Sequence, residues 1–66
     1  MERGAGVQTV PSPVGQGWWN TLDGKVVSRH RLRENAVEAG REIARELAVE
    51  HTIHSSDGTI EANVGE

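Results

Sequence analysis

Three histidines are the side chains in this chain best suited to catalysis or metal binding: His30, His51 and His54. His51 and His54 are three apart, a spacing that lets two imidazoles share an ion on a helix but sets them on opposite faces of a strand. Thr52 and Ile53 between them, with Asp57-Gly58 just after, predict a strand, so the pair is not read as a chelate. There is no cysteine, and a metal would have to draw on carboxylates such as Glu50 or Asp57. No metal and no cofactor is expected, and His54 is expected to bond to the backbone of the following turn or to line its hairpin. Ser28, Ser55 and Ser56 lie near His30 and His54 in sequence, but nothing around them forms a nucleophile elbow. Gly15-x-Gly17 runs into a strand, whereas a phosphate loop opens a helix. The reading is that the protein is not an enzyme.

Binding chemistry is better represented. Trp18 and Trp19 are adjacent, so in one strand they face opposite ways. One can pack beneath a helix; the other must be exposed, sit in an interface or be covered by the N-terminal segment. Lys25, Arg29, Arg31 and Arg33 fall within nine residues that contain no acid, a local charge of +4. The remainder holds three basic and ten acidic residues, a charge of −7, for a net −3. Such a segment serves either as a guarded strand edge or as a phosphate-contacting stripe, and the acidic body opposes the second. Trp18, Trp19, Lys25, Arg29, Arg31 and Arg33 are the candidate partner-binding residues, because Trp and Arg are favoured at interface hot spots.

The elements that must position these residues are short. The 66 residues and 7.2 kDa allow a single small domain, residues 1–66, with 1–6 and 62–66 expected as loose ends. Leu, Ile and Val number only 14, and six of the apolar residues are Ala, so a roomy enzyme cleft is not expected. No apolar run approaches the roughly 18 residues of a membrane span. No signal-peptide pattern or lipidation motif is present, and a cytoplasmic, non-membrane protein is expected.

Val7 to Val10 predicts a first strand, closed by Pro11 and Pro13, and Ser12 to Gly17 a loop. Trp18 to Leu22 and Lys25 to His30 predict a hairpin across Asp23-Gly24. Strict alternation puts Val26, Ser28 and His30 on one face of its second strand, and Lys25, Val27 and Arg29 on the other. From Leu32 to Val49, the residues Ala36, Val37, Gly40, Ile43, Ala44 and Leu47 recur at spacings of three and four. That is an amphipathic helix with a narrow stripe of small residues, suited to lying close on a sheet. Gly40 costs about 1 kcal/mol of helix propensity against Ala, which close packing would explain. The helix start is poorly capped, since Arg31 and Leu32 are not cap residues and Asn35 is the first good candidate. His51 to His54 and Thr59 to Glu61 predict a second hairpin around Asp57-Gly58. The fold class is α+β: a small antiparallel sheet, βββαββ in sequence, with one amphipathic helix on one face.

Several of these pieces fall in a familiar order. They are Val10-Pro11, Gly17-Trp18, Ser28-x-His30, Ala36-x-x-Ala39-Gly40-Arg41-Glu42-Ile43-Ala44, and Ile53-His54-x-x-Asp57-Gly58-x-Ile60. Together they resemble the small bacterial family known as domain of unknown function 2188, over about residues 7–61. The last piece is the most specific. The chain departs from the family's pattern at Arg31 and Leu32, where an Asp or Thr helix cap is usual, and in its doubled Trp. The resemblance implies the same architecture and carries no activity.

A thin core, a Trp without an obvious internal partner and open sheet edges lead to a non-catalytic interaction module, expected to be a homodimer or to bind a protein partner. The alternative is nucleic-acid binding, with Lys25, Arg29, Arg31 and Arg33 on phosphates and a Trp stacked on a base; the net charge disfavours it.

Overall fold

The computed structural model describes residues 6–64, the side chain of residue 64 excepted. The order is β1 (Gly6–Pro11), β2 (Trp18–Leu22), β3 (Lys25–His30), α1 (Arg33–Leu47), β4 (Glu50–His54) and β5 (Ile60–Val64). The α+β class, the βββαββ order and the helix on one face stand as read from the sequence. Of the ends expected to be loose, residues 1–5 and 65–66 lie outside the described residues. Gly6 and the stretch 62–64 are strand.

The sheet order is β3-β2-β1-β4-β5. The pairs β1–β2, β2–β3 and β4–β5 are antiparallel, while β1–β4 is parallel, so the sheet is mixed and not wholly antiparallel. The cause is the single helix. Two hairpins leave β3 running in the direction of β1. A crossover through α1 returns the chain to the starting end, so β4 runs the same way again. The turn Asp23-Gly24 has positive φ at both residues, 56° and 78°, the backbone of a tight hairpin whose twist matches its strands.

Register fixes the faces. Val7 and Thr9 of β1 stand beside Leu22 and Asn20 of β2 and beside His51 and Ile53 of β4. All lie on the helix side. The strict alternation expected for β3 fails at one point, because the register slips between Asn20 and Thr21. Ser28 stands opposite Asn20, and Val26 stands opposite Thr21. Val26 therefore belongs with the outer face, away from Ser28 and His30, since a bulge shifts the parity of everything beyond it.

Beneath α1 the buried apolar residues are Val7, Ala36, Ala44 and Ile53. The buried helix positions are Ala36, Gly40 and Ala44, every fourth residue of the stripe. Leu47, read as part of that stripe, is half exposed. The helix starts at Arg33 with Leu32 as its N-cap and no side-chain cap, so the poor cap read from the sequence stands, but the start is not displaced to Asn35. It ends on Ala48 in left-handed backbone, φ 58°. There Val49 N–H donates to the Ala44 carbonyl and Ala48 N–H to that of Arg45, a Schellman-type stop.

Candidate functional site

The two tryptophans part as expected. Trp18 stands opposite Pro11 and His30 on the helix side, and Trp19 opposite Val10 and Arg29 on the outer side. Neither is fully exposed. The Arg33 guanidinium lies 5.5 Å from the Trp18 ring centroid, and the Arg29 guanidinium 5.4 Å from that of Trp19. Each indole thus carries an arginine of its own chain, a contact worth about 0.5–1 kcal/mol at an exposed site.

The four basic candidates are not brought together. Lys25 sits at the hairpin end of β3, Arg29 on the outer face and Arg31 in the exposed link to the helix. Arg33 opens α1 and forms an ion pair with Glu61 of β5. The +4 segment of the sequence becomes two Trp–Arg pairs on opposite faces with two outlying charges. It does not form one continuous track.

His51 and His54 face opposite ways on β4. His54 Nδ1 lies 3.3 Å from the Gly58 carbonyl and its Nε2 3.0 Å from the Gln8 side-chain oxygen. His54 thus lies within hydrogen-bond reach of its own turn and of Gln8 on β1, and the single N–H of a neutral imidazole serves one of these two oxygens.

His51 turns inward, to Thr9 and Asn20, which the sequence reading did not single out, and through them to Ser28 and His30, which it did. Thr9 Oγ1 donates to Asn20 Oδ1 at 2.5 Å, and Thr9 Oγ1 lies 2.7 Å from His51 Nε2. Asn20 Nδ2 donates to Ser28 Oγ at 3.0 Å and to the Ala36 carbonyl at 2.8 Å. Ser28 Oγ lies 3.1 Å from His30 Nε2. The donors can be assigned by elimination. Asn20 spends both amide hydrogens on Ser28 and Ala36, so its oxygen must accept, and Thr9 gives it the only hydrogen it has. The Thr9 oxygen is then an acceptor, and His51 donates to it through Nε2–H. The result is one chain of side chains, His51–Thr9–Asn20–Ser28–His30, crossing β4, β1, β2 and β3 beneath the helix. Burial holds the His51 pKa below its ordinary 6.5, and the nearby Arg41 adds to this. Sequence signals for this cluster existed. Thr9 shares parity with Val7, and His51 with Ile53, and a glycine stands in the middle of the helix stripe above them.

What these features define is a small α+β domain with a polar-centred helix–sheet contact and an outer sheet face over which no element among the described residues packs. The chain belongs to the family DUF2188, described as uncharacterized proteins conserved in bacteria, whose model matches residues 7–63. No curated protein and no solved structure matches it. No helix among the described residues is long and apolar enough to cross a membrane.

Proposed function

We propose that the protein is a non-catalytic interaction module that associates with protein chains, a second copy of itself foremost, in a cytoplasmic setting. The observation that supports this reading is the division of the sheet into one clothed face and one bare face. α1 covers one side. On the other, among the described residues, no element packs over Gln8, Val10, Trp19, Thr21, Arg29 and Thr52. The solvent side of α1 carries Glu34, Glu38, Arg41, Glu42, Arg45 and Glu46. The bare face is poor in charge and centred on a Trp–Arg pair, which is the composition of interface cores. The polar chain, buried at Thr9, Asn20 and His51 and part-exposed at Ser28 and His30, lies on the helix side and acts in holding the fold.

Sedimentation equilibrium from low to high micromolar concentration tests the reading. A monomer–dimer equilibrium supports it. A chain that stays monomeric and fully folded across that range removes the self-association. Replacing Trp19 and Arg29 with Ala then asks whether the bare face recruits a different protein: a partner held by the native chain and lost by this variant supports that arm. The nucleic-acid alternative has less behind it, because the basic residues are dispersed and the Trp19 ring already carries Arg29. An affinity for oligonucleotides that is measurable at about 50 mM salt and falls steeply above it would revive that alternative.

A further inference from the structure

The chain has two aspartates, Asp23 and Asp57, and each is followed by glycine. Both pairs turn a hairpin, but the two carboxylates are held differently. Asp57 accepts from the hydroxyls of Ser55 and Thr59 and from the Thr59 N–H, and Gly58 N–H donates to the Ser55 carbonyl at 2.9 Å. Carboxylate and following amide are thus both occupied. Among the described residues, none donates a hydrogen bond to the Asp23 carboxylate or forms an ion pair with it. Asp23 and Gly24 are exposed, and a Cβ at Gly24 would meet nothing within 4 Å. The register slip between Asn20 and Thr21 leaves only the pairs Thr21–Val26 and Leu22–Lys25 between it and the turn. The tip can therefore open without disturbing Asn20. Opening also releases Asp23 from its φ of 56°, a left-handed backbone that crowds a Cβ.

We propose that Asp23-Gly24 is a self-modification site, where Asp23 isomerises through a cyclic imide to a β-linked, isoaspartyl residue, while Asp57-Gly58 is protected. The site is independent of the self-association proposed above. In the open turn the Gly24 nitrogen, with no side chain beside it, attacks Cγ of the protonated Asp23 carboxyl. The N–Cγ bond forms and a Cγ–O bond breaks. The oxygen departs as water, carrying the carboxyl proton and the Gly24 amide proton. Water then adds to one of the two ring carbonyls. Opening at Cγ restores aspartate. Opening at the backbone carbon breaks the original peptide bond and leaves the chain running through Cγ, with a free α-carboxylate. Only water leaves and enters, so nothing is oxidised or reduced. The Asp23 Cβ now lies in the backbone, and a two-residue turn has no slack for the added atom. The two pairs at the tip lose their register, and those beyond the slip hold. At Asp57 the bonds from Ser55 and Thr59 draw the pKa from 3.8 to about 2, which makes the reactive protonated form more than about tenfold rarer.

The full chain incubated at neutral pH in heavy-oxygen water, then digested in ordinary water, tests this, because each passage through the ring fixes one solvent oxygen. Cleavage after Lys and Arg places Asp23 in residues 4–25 and Asp57 in residues 46–66. The label is expected to enter 4–25 at least about tenfold faster than 46–66. The 4–25 peptide is also expected to become a methyl acceptor for an isoaspartate-specific carboxyl methyltransferase supplied with S-adenosylmethionine. Ser55→Ala removes the foremost bond to Asp57 and is expected to speed labelling of 46–66 several-fold, with 4–25 unchanged. Asp23→Asn keeps a favoured hairpin turn, releases ammonia in place of water, and is expected to deamidate faster than the native site takes up label. Label entering both peptides equally, or 46–66 first, overturns the assignment, as does a 4–25 peptide that stays unlabelled. An Asp23→Asn chain that keeps its amide shows that the turn never opens far enough and overturns the site. A Ser55→Ala chain with 46–66 as slow as before overturns the protection of Asp57.

Discussion

Gly40 of α1 lies directly on His51 of β4: a Cβ at position 40 would sit 2.7 Å from His51 Nε2. The same Cβ would sit 2.6 Å from Asn20 Oδ1 and 2.9 Å from Thr9 Oγ1. All three atoms are tied to one another and cannot retreat independently. The missing side chain is what lets the helix settle onto the polar centre of the sheet. Gly40→Ala should therefore destabilise the protein even though Ala gains about 1 kcal/mol of helix propensity. Overpacking of this kind costs about 1–3 kcal/mol, and here it also threatens buried hydrogen bonds. A net loss of about 2 kcal/mol in urea unfolding is expected. A variant as stable as the native chain would show that the helix has room to shift.

His51 gives the fold a pH dependence of defined sign. Its folded pKa lies below the ordinary 6.5, so the unfolded chain takes up this proton first. The contribution is fully present above 6.5. It is lost as pH falls through 6.5 towards the folded value, where it levels off, with a slope of at most about 1.4 kcal/mol per pH unit. Urea midpoints compared at pH 8 and pH 5 should fall for the native chain. They should fall less for His51→Gln, which keeps a side-chain donor for Thr9 without a titrating ring. Equal slopes for the two chains would remove His51 as the cause.

The fold was largely legible because its signals are local. The helix follows from Ala36, Gly40 and Ala44 at every fourth residue, and the hairpins from Asp23-Gly24 and Asp57-Gly58. The departures are non-local. The parallel pairing of β1 with β4 depends on where the crossover delivers the chain. The slip opposite Thr21, which moves Val26 to the outer face, depends on the pairing partner and breaks an alternation that a single strand cannot reveal. The Thr9–Asn20–His51 centre stayed hidden for a related reason. Parity with Val7 and Ile53 points Thr9 and His51 inward, but each is polar and lies on a different strand, and only the register and the missing Cβ of Gly40 show that they meet Asn20 in one cluster. The candidate surface was half legible: the opposed tryptophans follow from adjacency, but the arginine paired with each does not.

Ala48 offers a stabilising substitution. It ends α1 at φ 58° and ψ 45°, a conformation that costs a residue with a Cβ about 1–2 kcal/mol. Glycine adopts it freely but loses more freedom on folding. Ala48 is exposed, so no packing is sacrificed. Ala48→Gly should raise the unfolding free energy by about 0.5–1 kcal/mol, read as a higher urea midpoint at unchanged slope. A lower midpoint would mean that the helix end relaxes out of the left-handed region at little cost.

The β4–β5 turn is held through one carboxylate oxygen. Asp57 Oδ1 accepts from Ser55 Oγ at 2.6 Å, from Thr59 Oγ1 at 2.8 Å and from Thr59 N–H at 3.1 Å. These bonds, that from Ser55 foremost, draw the Asp57 pKa from 3.8 down to about 2. A carboxylate with a lowered folded pKa contributes stability above its unfolded value and loses it as pH falls through the folded one. The turn should therefore hold at pH 4 and loosen between about 4 and 2. By NMR, the Asp57 carboxyl carbon and the Thr59 amide should titrate together with a midpoint near 2. A midpoint near 3.8, or a Thr59 amide indifferent to it, would show that the three bonds do not form in solution. Asp57→Asn keeps an acceptor oxygen but removes the charge, so it should abolish this acid transition while leaving the hairpin paired at neutral pH.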